Sequence, residues 1–114
     1  PRLFRAPYEE HSAMTDGVVA SLGLLQVLWS VDSGDDTRHA RVARVVRSVL
    51  AGLHPGAIVL LHELHPWTVR ALPQILAAIR RRGLRAVTVP ELLALQPPAV
   101  SQRCAYPPAR ATGD

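Results

Sequence analysis

Lysine is absent from this chain: all 13 basic residues are arginine. That one-sided usage matches the coding bias of a GC-rich genome better than a surface selected for one partner. The formal net charge of +4 is therefore weak ground for a nucleic-acid function. Cysteine occurs once, at Cys104, which excludes an internal disulfide framework and a cysteine zinc cluster and leaves the redox compartment open. Aromatic residues make up 4 % of the chain, too few to interleave with arginines in a base-stacking surface. No apolar run is long enough to span a bilayer, and no secretory signal is present. A chain that begins on Pro1, with first residues that read as the end of a strand, is expected to be a fragment whose missing N-terminus would take any signal with it.

What is there is 114 residues with 48 % hydrophobic content, enough for one domain with a modest core. Leu3 and Phe4 read as a strand tip leading into Arg5, Ala6, Pro7 and Tyr8, where Pro7 holds Ala6 extended and ends regular structure. Met14, Val18, Val19 and Leu22 recur at helical spacing over residues 12–22, with Gly23 as the cap. Residues 24–31 are apolar and partly β-branched, a strand that puts Leu25, Val27, Trp29 and Val31 on one face. An acidic loop, Asp32 to Asp36, follows. Thr37 or an aspartate just before it is placed to cap the next helix, whose core stripe is Val42, Val45, Val46, Val49 and Leu50. On its opposite side Arg38, Arg41, Arg44 and Arg47 repeat every third residue, the pattern of a solvated helix face.

Residues 57–61 form an apolar run that ends abruptly in His62. Alternation along a strand puts Ile58, Leu60 and His62 on one face. Thr68 opens a further helix with Val69, Leu72, Leu76 and Ile79 on its buried side, and Pro73 belongs near its first turn or at a kink. Arg80 to Arg82 suit the negative end of that helix and Gly83 its cap. A last strand over residues 86–89 leads through Pro90 into a short helix over residues 91–95. Residues 1–96 thus read as one structured domain, and the proline-rich residues 97–114 as a disordered tail.

Strands alternating with helices imply parallel βα units with right-handed crossovers, an α/β fold. Three strand mouths, at residues 5–8, 32–36 and 62–67, then open on one rim, where active sites of such folds assemble. His62 is either a histidine that ends a strand and bonds the next loop, or a catalytic imidazole. HELHP at residues 62–66 begins like the zinc-protease pattern H-E-x-x-H, but Pro66 stands where the second histidine is required, and the segment follows a strand. His62 and His65 have no carboxylate or third histidine at ligand spacing to complete a metal site.

Three stretches together carry a family resemblance: FRAPY at residues 4–8, LWSVDSGDD at 28–36 and IVLLHELHPWTVRALPQI at 58–75. In order and spacing they resemble the third, fourth and fifth motifs of the polysaccharide deacetylase family, also called the NodB homology domain (carbohydrate esterase family 4-like). The likeness runs to Leu95, and it identifies the chain as the C-terminal portion of such a domain. The resemblance implies a partial (β/α) barrel and a metal-dependent hydrolase that removes N- or O-acetyl groups from chitin or chito-oligosaccharide, peptidoglycan or xylan. It also implies a divalent metal, zinc or similar, in the full-length enzyme, and an extracellular or cell-envelope location. The expected partner is an acetylated polysaccharide or oligosaccharide, with no nucleic acid and no membrane span in this segment.

Carried over by residue, the resemblance makes His62 the general acid that protonates the leaving sugar nitrogen. Asp35, or in its place Asp32, supplies the negative charge that favours the imidazolium. Arg5 orients the catalytic base, the Tyr8 amide holds the oxyanion, Leu60 lines the acetyl-methyl pocket and Trp29 walls the groove. Trp29 and Leu60 can equally be core, and Asp32 and Asp35 helix caps. The two earlier family motifs, which supply the base and the metal ligands, are expected upstream of Pro1. No metal ligand is assigned in this chain, so the isolated fragment is expected to be inactive. Glu9 stands where the family has Gly, Asp36 where an aromatic often follows, and Glu63 where Asp usually follows the histidine. These departures fit an altered substrate or a decayed copy, and a noncatalytic glycan-binding remnant is the alternative reading.

Overall fold

The computed structural model describes residues 2–98. It is α/β, and its strands are short and parallel. The chain divides into two compact units, one running to Leu28 and the other spanning Trp29–Gln96.

In the first unit, β1 (Leu3–Phe4) pairs in parallel with β2 (Leu25–Gln26), Leu3 opposite Leu25 and Phe4 opposite Gln26. Between them lie a 3₁₀ turn, Pro7–Glu9, and helix α1, Ala13–Ser21. The start of α1 is set locally: Ser12 caps it, its hydroxyl accepting from the Thr15 amide while the Thr15 hydroxyl accepts from the Ser12 amide. Its end is set by Gly23, in the left-handed region at φ 71°. There the Gly23 amide bonds Ala20 O and the Leu24 amide bonds Val19 O. The expected apolar stripe of α1 is corrected, however. Only Val19 is buried, and Met14, Val18 and Leu22 are exposed.

In the second unit, β3 (Val31–Asp32) pairs in parallel with β4 (Val59–Leu60), Val31 opposite Val59 and Asp32 opposite Leu60. The single strand expected over residues 24–31 is thus two strands in two sheets, β2 and β3, separated by residues 27–30, which belong to neither strand. Helix α2 (Val42–Gly52) crosses between β3 and β4 and buries Val45 and Val49 completely, with Val42, Val46 and Leu50 packed around them. Neither Thr37 nor an aspartate caps it. The N-cap is Arg41, and Thr37 instead closes a turn onto Gly34 O through both its amide and its hydroxyl. Arg38, Arg41, Arg44 and Arg47 are all exposed.

Helix α3 (Pro66–Arg81) starts two residues earlier than its periodicity suggests, with Pro66 at N1, where its missing N–H costs nothing. Its buried face is Thr68, Ala71, Ile75 and Ala78, not the expected Val69, Leu72 and Leu76, which are exposed. The reason is packing: Ala71, with no exposed surface, and Ile75 meet the α2 valines in the core, and a small residue such as Ala71 lets two helices approach closely. Leu72, Leu76 and Ile79 turn instead to an apolar cavity of about 520 Å³ shared with Leu84, Leu92 and Leu95. Pro73 sits in the helix interior on an exposed position. Gly83, at φ 68°, ends α3 as expected, with Gly83 N bonded to Arg80 O and Leu84 N to Ile79 O.

No strand forms over residues 86–89. Instead Thr88 and Glu91 make a capping box, the Glu91 carboxylate accepting from the Thr88 amide and hydroxyl at 2.7 Å each. That cap draws Val89 into helix α4, Val89–Leu95. The β propensity of Val87, Thr88 and Val89 loses to a cap that satisfies the helix's first donors. The expected disordered tail falls on residues 99–114, outside the described residues, apart from Pro97 and Pro98.

Candidate active site

The second unit brings His62 and Asp35 together, 27 positions apart in sequence. Two elements do this. Strand β4 ends at Leu60 and delivers His62 just beyond its C-terminal tip, while β3, its parallel neighbour, ends at Asp32 and delivers the Ser33–Asp35 loop at the same end. Parallel pairing makes this possible, because both strand mouths then open on the same side.

Asp35 is fully buried. Its Oδ1 accepts from His62 Nδ1 at 2.8 Å, and its Oδ2 accepts from the His62 backbone amide at 2.6 Å and from the Thr68 hydroxyl at 2.7 Å. Its own backbone is held as well: the Asp35 amide bonds the Ser33 hydroxyl at 3.3 Å, and the Trp67 indole N–H donates to Asp35 O at 2.8 Å. The carboxylate is therefore ringed by donors. Burial acts to raise its pKa, but the bonds from the His62 ring, the His62 amide and Thr68, with the attraction of His62, outweigh that and hold it below the ordinary 3.8. A buried anion so solvated by the protein stays ionised at neutral pH.

His62 shows 30 % of its side chain to solvent. With Nδ1 committed to an ionised carboxylate, the proton sits on Nδ1, and Nε2 is the nitrogen left to exchange protons with a ligand. Such an arrangement can transfer a proton, because the imidazole is oriented from behind by an acid and keeps Nε2 for a ligand.

The other expected site residues are distributed as follows. Asp32 does not reach His62: its Oδ1 accepts from the Gly34 amide at 2.8 Å in a tight turn, which leaves Asp35 as the partner. Leu60, 9 % exposed, is buried at the end of β4, and Trp29 is half-buried at the start of the second unit. Arg5 and Tyr8 lie in the first unit, both exposed. Tyr8 and the following Glu9 both occupy the left-handed region, φ 56° and 58°, so the turn that glycine would enter freely is adopted here by two residues that pay strain for it. Sequence reasoning missed Thr68 and Trp67 as partners of Asp35. Thr68 read as an ordinary helix-opening residue and Trp67 as the end of the strand-mouth loop, and their signal was positional: the first turn of α3 follows the His62 loop and points its donors back toward it. Among the described residues no group of three or more His, Cys, Asp or Glu is placed to hold a metal ion. Among them, too, no helix is long and apolar enough to cross a membrane.

No protein-family model matches the chain. Curated relatives do. It is 41 % identical over 106 residues to a chitooligosaccharide deacetylase of Bradyrhizobium, an alignment covering 81 % of this chain and 48 % of that protein. It is 36 % identical over 92 residues to the peptidoglycan-N-acetylglucosamine deacetylase PgdA of Listeria monocytogenes, covering 81 % of this chain and 19 % of the relative. Among solved structures, a family 4 carbohydrate esterase from Streptomyces lividans in complex with acetate superposes with a TM-score of 0.71 at 34 % identity, over 78 % of this chain and 45 % of that one. The chain thus spans about half the length, or less, of the proteins it matches.

Proposed function

This chain belongs to the polysaccharide deacetylase family, and from that membership we propose that it carries the proton-delivering half of a hydrolase that removes acetyl groups from a polysaccharide. The observation that carries the reading is the buried Asp35 carboxylate bonded at 2.8 Å to His62 Nδ1, with the ring still partly open to solvent. In the proposed reaction an acetyl carbonyl of the substrate becomes tetrahedral on addition of water. The carbon–nitrogen or carbon–oxygen bond then breaks, and its electron pair leaves on the sugar nitrogen or oxygen. An amine anion or alkoxide is too basic to leave unassisted, so a proton must arrive as the bond breaks, and His62 Nε2–H delivers it. Asp35 keeps the imidazolium oriented and balances its charge without taking the proton itself.

The names of the relatives point to chito-oligosaccharide, chitin or peptidoglycan as the proposed substrate, and the family resemblance adds xylan and O-acetyl groups. An envelope or extracellular location goes with such polymers. Leu60 is proposed to floor the pocket for the acetyl methyl, Trp29 to wall the groove, Arg5 to orient the base and the Tyr8 amide to hold the oxyanion within a (β/α) barrel. The resemblance also implies a divalent metal, but the described residues offer no set of ligands that fits one, and no step is assigned to it here. A noncatalytic, glycan-binding remnant is the second reading. It is suggested by Glu9, which stands at φ 58° where the family has glycine, a departure in the turn whose Tyr8 amide would hold the oxyanion.

The test is His62→Ala in the full-length protein, assayed for acetate release from acetylated chito-oligosaccharide and for metal content. A general acid is worth a factor of about 10² to 10⁴ in rate, so turnover falls by that much while bound metal is unchanged. Loss of metal would make His62 a ligand. A full-length wild type that binds the oligosaccharide and releases no acetate would favour the remnant.

A further inference from the structure

His65 has no place in the chemistry above, yet its ring is held between two residues of the site. It stacks on Trp67 with centroids 5.0 Å apart and planes 7° from parallel, and it meets His62 edge-to-face at 6.2 Å and 72°. We propose that His65 is a positioning residue: stacked on Trp67, it forms the wall that keeps the His62 imidazole in the orientation where Nδ1 donates to Asp35. This rests on the proposed role of His62, but its structural content is separable from that role.

Three observations support the clamp. First, the wall is anchored. Trp67 packs against the buried core of the second unit and ties its indole N–H to Asp35 O, so the plate under His65 is fixed to the same residue that orients His62. Second, the backbone of His65 is immobilised from both sides. Its amide bonds His62 O at 3.3 Å, and as N-cap of α3 its carbonyl accepts from Thr68 N at 3.0 Å and Val69 N at 3.3 Å. The imidazole is therefore presented from a fixed Cα, and its stack on Trp67 selects its rotamer. Third, His62 needs such a wall. The bond from Nδ1 to Asp35 sets the ring's orientation while it is made, but with 30 % of the side chain exposed the ring keeps the freedom to swing about Cβ–Cγ and break it. A flat neighbour placed edge-to-face removes that freedom at the favoured geometry for two π systems. The whole assembly forms a closed loop, Asp35 carboxylate to His62 ring, His62 to His65, His65 to Trp67, and Trp67 back to the Asp35 carbonyl.

A flat ring is what the clamp requires, and a charge is not. His65→Phe therefore keeps the wall, His65→Ala removes it, and Trp67→Phe keeps a plate but loses the indole N–H that anchors it. The readout is the His62 Nδ1 proton, observed by ¹H–¹⁵N correlation at neutral pH in the 114-residue chain, with backbone amide dispersion as the check on folding. Held against a buried carboxylate, this proton gives a downfield resonance that exchanges slowly. His65→Ala is expected to raise its exchange rate by about tenfold or more, or to broaden it beyond detection, while His65→Phe restores the wild-type behaviour and Trp67→Phe falls between them. An unchanged resonance and exchange rate in a folded His65→Ala chain would overturn the clamp, as would failure of His65→Phe to restore it. If His65→Ala loses amide dispersion, the Phe variants decide alone: a wild-type signal in His65→Phe with faster exchange in Trp67→Phe supports the clamp, and any other pairing rejects it. In the full-length protein His65→Ala should lower kcat with little change in KM. If the proton signature responds as expected while His62→Ala leaves turnover intact, the clamp stands and the catalytic role of His62 is what fails.

Discussion

Replacing Asp35 by Asn tests the centre of the site with the loss of a single charge and almost no change in shape. In the wild type three donors converge on the carboxylate: His62 Nδ1–H, the His62 amide and the Thr68 hydroxyl. An asparagine offers one acceptor oxygen and two N–H donors. The oxygen has two lone pairs and can keep both donors that now share Oδ2, and the amide nitrogen must then face the His62 ring. That ring adapts by moving its proton from Nδ1 to Nε2, so that Nδ1 accepts. The second N–H of the new amide is left without an acceptor, because the other groups around this fully buried side chain are donors. A buried unsatisfied donor costs about 1–3 kcal/mol, and a hydrogen bond to a charged group contributes about 1.5–3 kcal/mol. A net loss of about 2–4 kcal/mol follows, a large part of an ordinary domain stability of about 5–15 kcal/mol.

The pH dependence of that loss has a definite sign. The folded pKa of Asp35 is held below the ordinary 3.8, so the unfolded chain takes up this proton first as pH falls. Asp35 thus contributes stability that is complete above the unfolded pKa of about 3.9 and is lost as pH drops through the folded value. Urea unfolding at pH 7 and near pH 3 should therefore show a gap between wild type and Asp35→Asn that narrows in acid. Nitrogen shifts of His62 should report Nδ1 protonated in the wild type and bare in the variant. A gap below about 0.5 kcal/mol, within the range of ordinary surface substitutions, would refute the argument, and so would one of equal size at both pH values.

Other outcomes follow from individual positions. Glu9→Gly removes a side chain from φ 58° and should stabilise the chain by about 1 kcal/mol, measured by thermal unfolding, since left-handed backbone costs a non-glycine residue about 1–2 kcal/mol; no gain would mean that the turn is held by something other than strain relief. Gly52→Ala should destabilise by about 1–3 kcal/mol, because a Cβ there would come within 2.8 Å of the Val31 side chain where α2 crosses β3; a neutral result would show that β3 yields. Titrated with zinc or cobalt and followed by calorimetry, the 114-residue chain should bind no more than weakly and should release no acetate from acetylated chito-oligosaccharide, since a metal-bound water needs about three protein ligands to hold and ionise it. Metal-dependent deacetylation by this chain would refute that expectation.

What the sequence by itself determined was local. Helix ends are written in capping residues that act within four positions, so Gly23 and Gly83 were legible as stops. The stripe of α2 was legible because its valines recur on one face and nothing else in that helix competes for the core. His62 stood out as a polar ring ending an apolar run, and the family motifs tied it to Asp35. The tertiary structure decided what periodicity leaves degenerate. Helix α3 carries two apolar faces, and the one with Ala71 and Ile75 is buried because it meets the α2 valines, where Ala71 lets the helices approach closely. Residues 24–31 read as one strand, yet β2 and β3 take different partners, a choice made by chain segments far away in sequence. Residues 86–89 read as a strand, but the Thr88–Glu91 cap starts helix α4 at Val89 instead. Asp35 became the partner of His62 over Asp32 because the turn that ties Asp32 to the Gly34 amide leaves only the second aspartate buried beneath the strand mouth, where Thr68 and the His62 amide solvate it. Hydrogen bonds between residues 27 to 33 positions apart depend on where whole elements come to rest, and no local pattern encodes that.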